Sequence, residues 1–129
     1  MPTPVNSPIP WTISLSATTG DIATGTAIVT TRAPYALALT QLPRISVSTA
    51  PVGSVLTVDI NSGATSPATM LSTKLTIDAS EKTSLSASTQ AVLSSTTMAD
   101  NDIITFDIDT VGSSTAGSGL QCTLYVTRL

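Results

Sequence analysis

A chain of 129 residues suits one domain with one hydrophobic core, of which roughly two thirds of the unfolded surface is expected to be buried. Charged residues make up 10% where about 25% is usual, the formal net charge is −3, and roughly a third of the chain is Ser or Thr. There is no histidine, which removes Ser-His-Asp and Cys-His catalysis and the commonest metal ligand together.

Residues 1–10 carry Pro2, Pro4, Pro8 and Pro10. Each proline removes an amide donor and fixes φ, so the segment is expected to be an extended arm outside any sheet interior, and these four prolines are the expected partner contacts. From Trp11 the pattern changes. Trp11, Ile13, Leu15 and Ala17 alternate with hydroxyl residues, a first strand opening a single β domain over residues 11–129. The phase of Trp11 with Ile13 and Leu15 places it at the core edge.

A turn over 18–21, with Gly20, leads to a β-branched strand over 24–31, where Gly25 marks a bulge or a close backbone approach. Two short strands follow, Tyr35 to Thr40 and Ile45 to Thr49, each ended by a proline. In Val55 to Asn61, residues Leu56, Val58 and Ile60 share one face, and Asn61-Ser62-Gly63 reads as a turn. Thr69 to Ile77 reads as one strand with Leu71, Leu75 and Ile77 inside and Met70 and Lys74 outside. Between Lys82 and Asn101 the apolar residues are isolated, which predicts a short strand or two among loops.

The last two strands carry the clearest alternation. Ile104, Phe106 and Ile108 form one apolar face, and Leu120, Cys122, Leu124 and Val126 form another. The phase of Cys122 makes it a small buried hydrophobe. The loop from Thr110 to Gly119 between them lacks the Gly-Lys-Ser/Thr ending of a phosphate cradle and reads as a flexible connection. About eight strands with no helical periodicity predict an all-β, two-sheet antiparallel sandwich. Greek-key, immunoglobulin-like and jelly-roll connections all fit, and eight strands in one domain favour a jelly-roll-like arrangement.

The side chains point to no enzyme. Asp107 and Asp109 share a strand face, about 7 Å apart by strand geometry, within the range of glycosidase carboxyl pairs. A sugar cleft also needs aromatic platforms, and 3% aromatic content supplies almost none. Asp107, Asp109 and Gly112 match a calcium loop only in part, because the closing Glu position holds Ser118. Asp100, Asp102, Asp107 and Asp109 therefore read as strand-end and turn aspartates. No cofactor or metal is expected. Arg32, Arg44, Lys74, Lys82 and Arg128 are scattered, so no nucleic-acid partner is expected either. The apolar runs are far below the roughly 20 residues that span a bilayer, and no charged n-region leads into an apolar h-region. A soluble chain made in the cytoplasm, without membrane or signal peptide, is the expectation.

Three stretches taken together resemble a known family: TTGDIATGTAIVTTRAPYALALTQLPRISVSTAP (18–51), LSTKLTIDASEKTSLSAST (71–89) and MADNDIITFDIDTVGSSTAGSGLQCTLYVTRL (98–129). They are similar to small β-sandwich domains of tailed-bacteriophage virion proteins, cyanophage ones included. Where such families often have Gly before Glu-Lys-Thr-Ser, this chain has Ser80, and it departs again with Tyr125-Val126 near its end, changes that leave the fold intact but bear on any shared surface. The resemblance implies virion structure and assembly, with no catalytic residue to carry over. The expected function is a capsid decoration or cement protein, a homotrimer that contacts the major capsid protein and copies of itself. The alternative is a tail-fibre or receptor-binding tip protein that recognises host surface glycans.

Overall fold

The two best-patterned strands sit in the interiors of two different sheets in the structure, a computed structural model that describes residues 8–16 and 20–129. In chain order the strands are β1 (Ile9–Ser14), β2 (Gly25–Arg32), β3 (Leu37–Leu39), β4 (Arg44–Ser46), β5 (Leu56–Gly63) and β6 (Ala68–Thr69). They continue with β7 (Leu71–Thr73), β8 (Leu75–Ile77), β9 (Val92–Leu93), β10 (Thr97–Met98), β11 (Ile103–Thr110) and β12 (Gln121–Arg128). A 3-10 turn at Ser84–Ser86 is the only helical element among the described residues.

One sheet runs β1-β12-β3-β10, with β4 also on β12; the other runs β2-β11-β5-β6, with β8 also on β5. Every pairing is antiparallel, and β7 and β9 form a separate small sheet. β3 and β4 share one side of β12 and are one strand interrupted over 40–43, a stretch ending in Pro43. β6 and β8 likewise share one side of β5. Counting each interrupted strand once leaves four lanes per sheet. Along the chain, the first lane pairs with the last (β1 with β12), the second with the seventh (β2 with β11), the third with the sixth (β3 with β10) and the fourth with the fifth (β5 with β6 and β8). That nesting is one long antiparallel ribbon rolled over on itself, which is the jelly roll the strand spacing predicts.

The core lies between the two sheets and is aliphatic. Leu56, Val58 and Ile60 of β5 meet Ile104, Phe106 and Ile108 of β11, with Cys122, Leu124 and Val126 of β12 and Leu37 and Leu39 of β3 opposite. Each fully buried Leu, Ile or Phe contributes about 1.5–3 kcal/mol relative to exposure. No buried side-chain nitrogen or oxygen among the described residues lacks a partner.

Several boundaries differ from the sequence reading. β1 begins at Ile9, two residues before the expected start, so Pro10 lies in a strand and pairs with Tyr125. The Leu15 N–H donates to Leu120 O at 2.8 Å, so the odd-numbered residues here bond to β12 and the nitrogen of Pro10 faces the open edge, where no donor is needed. β5 continues through the expected turn to Gly63, opposite Ile103. The expected single strand over 69–77 is three pieces, because β7 leaves the lane to pair with β9. That departure buries Met70, expected outside, at 1% exposure. Pro2 and Pro4 of the arm, Ala17 of the first expected strand, and Thr18 and Thr19 of the first turn lie outside the described residues.

Gly25 marks an irregularity as expected. The β2–β11 register shifts between Phe106 and Ile108, and Ala27 takes a φ of 51°. The loop read as a flexible connection is instead braced against residues 48–53, with bridges Thr49–Ser118 and Val52–Thr115. Gly112 permits that approach: a Cβ there would lie 1.8 Å from the Thr115 carbonyl oxygen.

Candidate interaction surface

Three polar or aromatic groupings stand outside the core. The first is on the outer side of the β2-β11-β5 sheet, where Asp107 and Asp59 are register partners on β11 and β5. Asp107 accepts from the Ala27 N–H at 2.7 Å and from Asn61 Nδ2 at 3.1 Å. Asp59 is buried and accepts from the Thr69 hydroxyl at 2.5 Å and the Ile60 N–H at 2.9 Å. Lys74 donates to Asp109 and lies 3.9 Å from Asp59. That hydrogen bond to Asp109 raises the Lys74 pKa above 10.5, desolvation opposes it, and the charges of Asp109, Asp59 and Asp107 add to it.

These bonds pin the β2 bulge and the β6–β7 corner, so the carboxylates expected at strand ends are internal fasteners. Asp107 and Asp109, which share a face, are tied to different partners. Asp102 accepts from the Ala99 N–H at 2.9 Å and closes the turn ahead of β11. No group of three or more Cys, Asp or Glu side chains able to hold a metal ion occurs among the described residues. Cys122 is fully buried, and burial pushes its pKa up to about 12, so the thiol behaves as a core hydrophobe.

The second grouping is on the other sheet. Its strands carry only two charged residues, Arg44 and Arg128, whereas β2, β5 and β11 carry Arg32, Asp59, Asp107 and Asp109. The Arg44 guanidinium lies 5.2 Å from the centre of the Tyr125 ring, and that of Arg128 lies 4.6 Å from the centre of Tyr35. Tyr125 alternates with the buried Leu124 and Val126 and so faces outward, beside the hydroxyl pair Thr12–Thr123 at 3.0 Å.

The third is an apolar groove of about 230 Å³ beside the edge strand β1, lined by Ile9, Pro10, Trp11, Tyr35, Leu37 and Val126, with Pro34 alongside. Trp11 packs against the core edge as its phase predicts, half-buried. Of the four expected contact residues, Pro10 lines this groove and Pro8 is exposed immediately before β1. Sequence reasoning missed Tyr35 and Arg128, which β3 and β12 bring together through the pairing of Arg128 with Leu37. The available signal was the Pro34-Tyr35 step that ends the β2 lane.

The fold and this surface define an all-β antiparallel sandwich with a charge-poor face. No protein-family model matches the chain, and neither the curated proteins nor the solved structures contain a match. No helix among the described residues is long and apolar enough to cross a membrane.

Proposed function

We propose that this chain is a structural protein of a tailed-bacteriophage virion, a capsid decoration protein that assembles as a homotrimer and clamps neighbouring major capsid subunits. The observation that carries the reading is the β1-β12-β3/β4 face, whose strands hold two arginines, each over a tyrosine ring, among hydroxyl side chains. Charges must shed water before they are covered, and interface cores are correspondingly depleted of charge but enriched in Tyr and Arg. A face of this composition is inexpensive to desolvate and carries aromatic anchors.

The resemblance of residues 18–51, 71–89 and 98–129 to small β-sandwich domains of tailed-bacteriophage virion proteins favours the same reading, and Ser80 departs from that pattern. Activity here is assembly: the sandwich presents a face, and the residues ahead of β1 supply a strap between copies.

Binding to purified capsids tests the reading. Introducing Tyr125→Asp is expected to lower capsid affinity directly, and removing residues 1–7, which leaves β1 whole, to lower it by breaking the oligomer that binds at several points, each by about tenfold or more. Unchanged capsid occupancy by both variants contradicts it.

A further inference from the structure

The groove beside Trp11 is open and apolar, and its chemistry restricts what fills it. At about 230 Å³ it is below the roughly 300–1,000 Å³ of pockets that hold drug-sized ligands, and its walls are aliphatic, proline and aromatic. It offers a sugar little to hydrogen-bond. Grooves lined by aromatic and proline rings are instead the recognition surface for extended proline-rich segments, which enter already ordered and lose little entropy.

Such a segment belongs to this chain. Residues 1–7, Met-Pro-Thr-Pro-Val-Asn-Ser, join the described structure at Pro8, next to the groove wall formed by Ile9 and Pro10. At about 3.1 Å per residue in a polyproline conformation they have a reach of about 20 Å. The join also decides whose groove they fill. A residue before proline is held extended, and Ile9, preceding Pro10, is extended in β1. Extended backbone at Ile9 runs along the groove wall, so an arm that fills the groove of its own molecule has to double back on the strand that continues it. A neighbouring molecule's arm arrives without that reversal.

We propose that the groove lined by Ile9, Trp11, Tyr35 and Val126 receives the proline-rich arm, residues 1–7, of a second copy of this chain. This deepens the assembly reading above and rests on its self-association part, not on the capsid. It assigns the arm to the contact between copies and leaves the Arg44–Tyr125 face for the larger partner.

The experiment uses the full chain in solution, with no capsid present, so its failure leaves the capsid contact untouched. Trp11 is the only tryptophan, and its emission reports the groove directly. Sedimentation over a concentration series is expected to show an oligomer, with Trp11 emission shifting to shorter wavelength as it forms. Val5→Asp in the arm and Tyr35→Ser in the groove are each expected to weaken association by about tenfold or more. Val5 precedes β1 in the chain, so this variant leaves every described strand residue unchanged. A synthetic peptide of residues 1–8 is expected to compete with the oligomer while keeping the Trp11 emission of the occupied groove. A monomer at every concentration overturns the proposal, as does an oligomer indifferent to Val5→Asp. A concentration-independent Trp11 shift that Val5→Asp abolishes also overturns it, because the arm would then fill its own groove.

Discussion

The carboxylate of Asp107 on β11 accepts the backbone N–H of Ala27 on β2 at 2.7 Å, at the point where the two strands lose register. Ala27 has a φ of 51°, a conformation that costs a non-glycine residue about 1–2 kcal/mol. The charged acceptor offsets that cost, and the Asn61 amide holds its other oxygen. Hydrogen bonds to charged groups contribute about 1.5–3 kcal/mol, so Asp107→Ala is expected to lower unfolding free energy by about that much in urea titration. Ala27→Gly is expected to raise it by up to about 1 kcal/mol, since the bond remains and the steric cost disappears. An unchanged denaturation midpoint for both variants would mean the bulge carries no strain.

Ser80 offers a second test of backbone strain. Its φ is 68° and its N–H donates to Pro51 O at 2.6 Å, a bond that glycine retains. Ser80→Gly is expected to stabilise the fold by about 1 kcal/mol, read as a higher melting temperature.

Cys122 makes stability depend on pH. Burial raises its pKa from 9.0 to about 12, and the unfolded thiol titrates near the lower value. A group whose pKa is raised by folding stabilises fully below its unfolded pKa. Stability is therefore expected to fall as pH rises from about 9 toward 12, by on the order of 1 kcal/mol per pH unit. The raised pKa of half-exposed Lys74 adds a smaller loss of the same sign above 10.5. Cys122→Ala lowers stability throughout by leaving a cavity but is expected to flatten the slope between pH 9 and 10.5. The same slope in wild type and variant would contradict the buried thiol, as would rapid reaction of native protein with an aromatic disulfide reagent.

The brace between the β11–β12 loop and residues 48–53 depends on Gly112. A Cβ there lies 1.8 Å from Thr115 O and 2.6 Å from Val52 N, both backbone atoms that no rotamer change relieves. Gly112→Ala is expected to separate the loop from Val52 and destabilise the chain by about 1–3 kcal/mol, with faster amide exchange at Thr115 and Ser118. Exchange rates equal to wild type would show the loop is not held there.

Strand phase carried most of the fold. Alternation in Leu56–Ile60, Ile104–Ile108 and Cys122–Val126 marked the inner faces, because a half-buried strand leaves a period of two in its residues. What it did not mark were events set by neighbours. Met70 reads as outward until β7 leaves its lane, and Asn61-Ser62-Gly63 reads as a turn until β11 pairs alongside it. The groove was legible only in part. Trp11 could be placed at the core edge by phase, but Val126 and Leu37 meet it through pairings between distant strands, which no local pattern encodes.

The central claim is that this sandwich serves through repeated contacts on a viral shell, and imaging of intact particles carrying a tagged copy of the chain tests it most directly. The account predicts density at regular lattice sites on the capsid, in a copy number comparable to that of the capsid subunits. Density confined to the tail tip, or a particle without the chain, would contradict it.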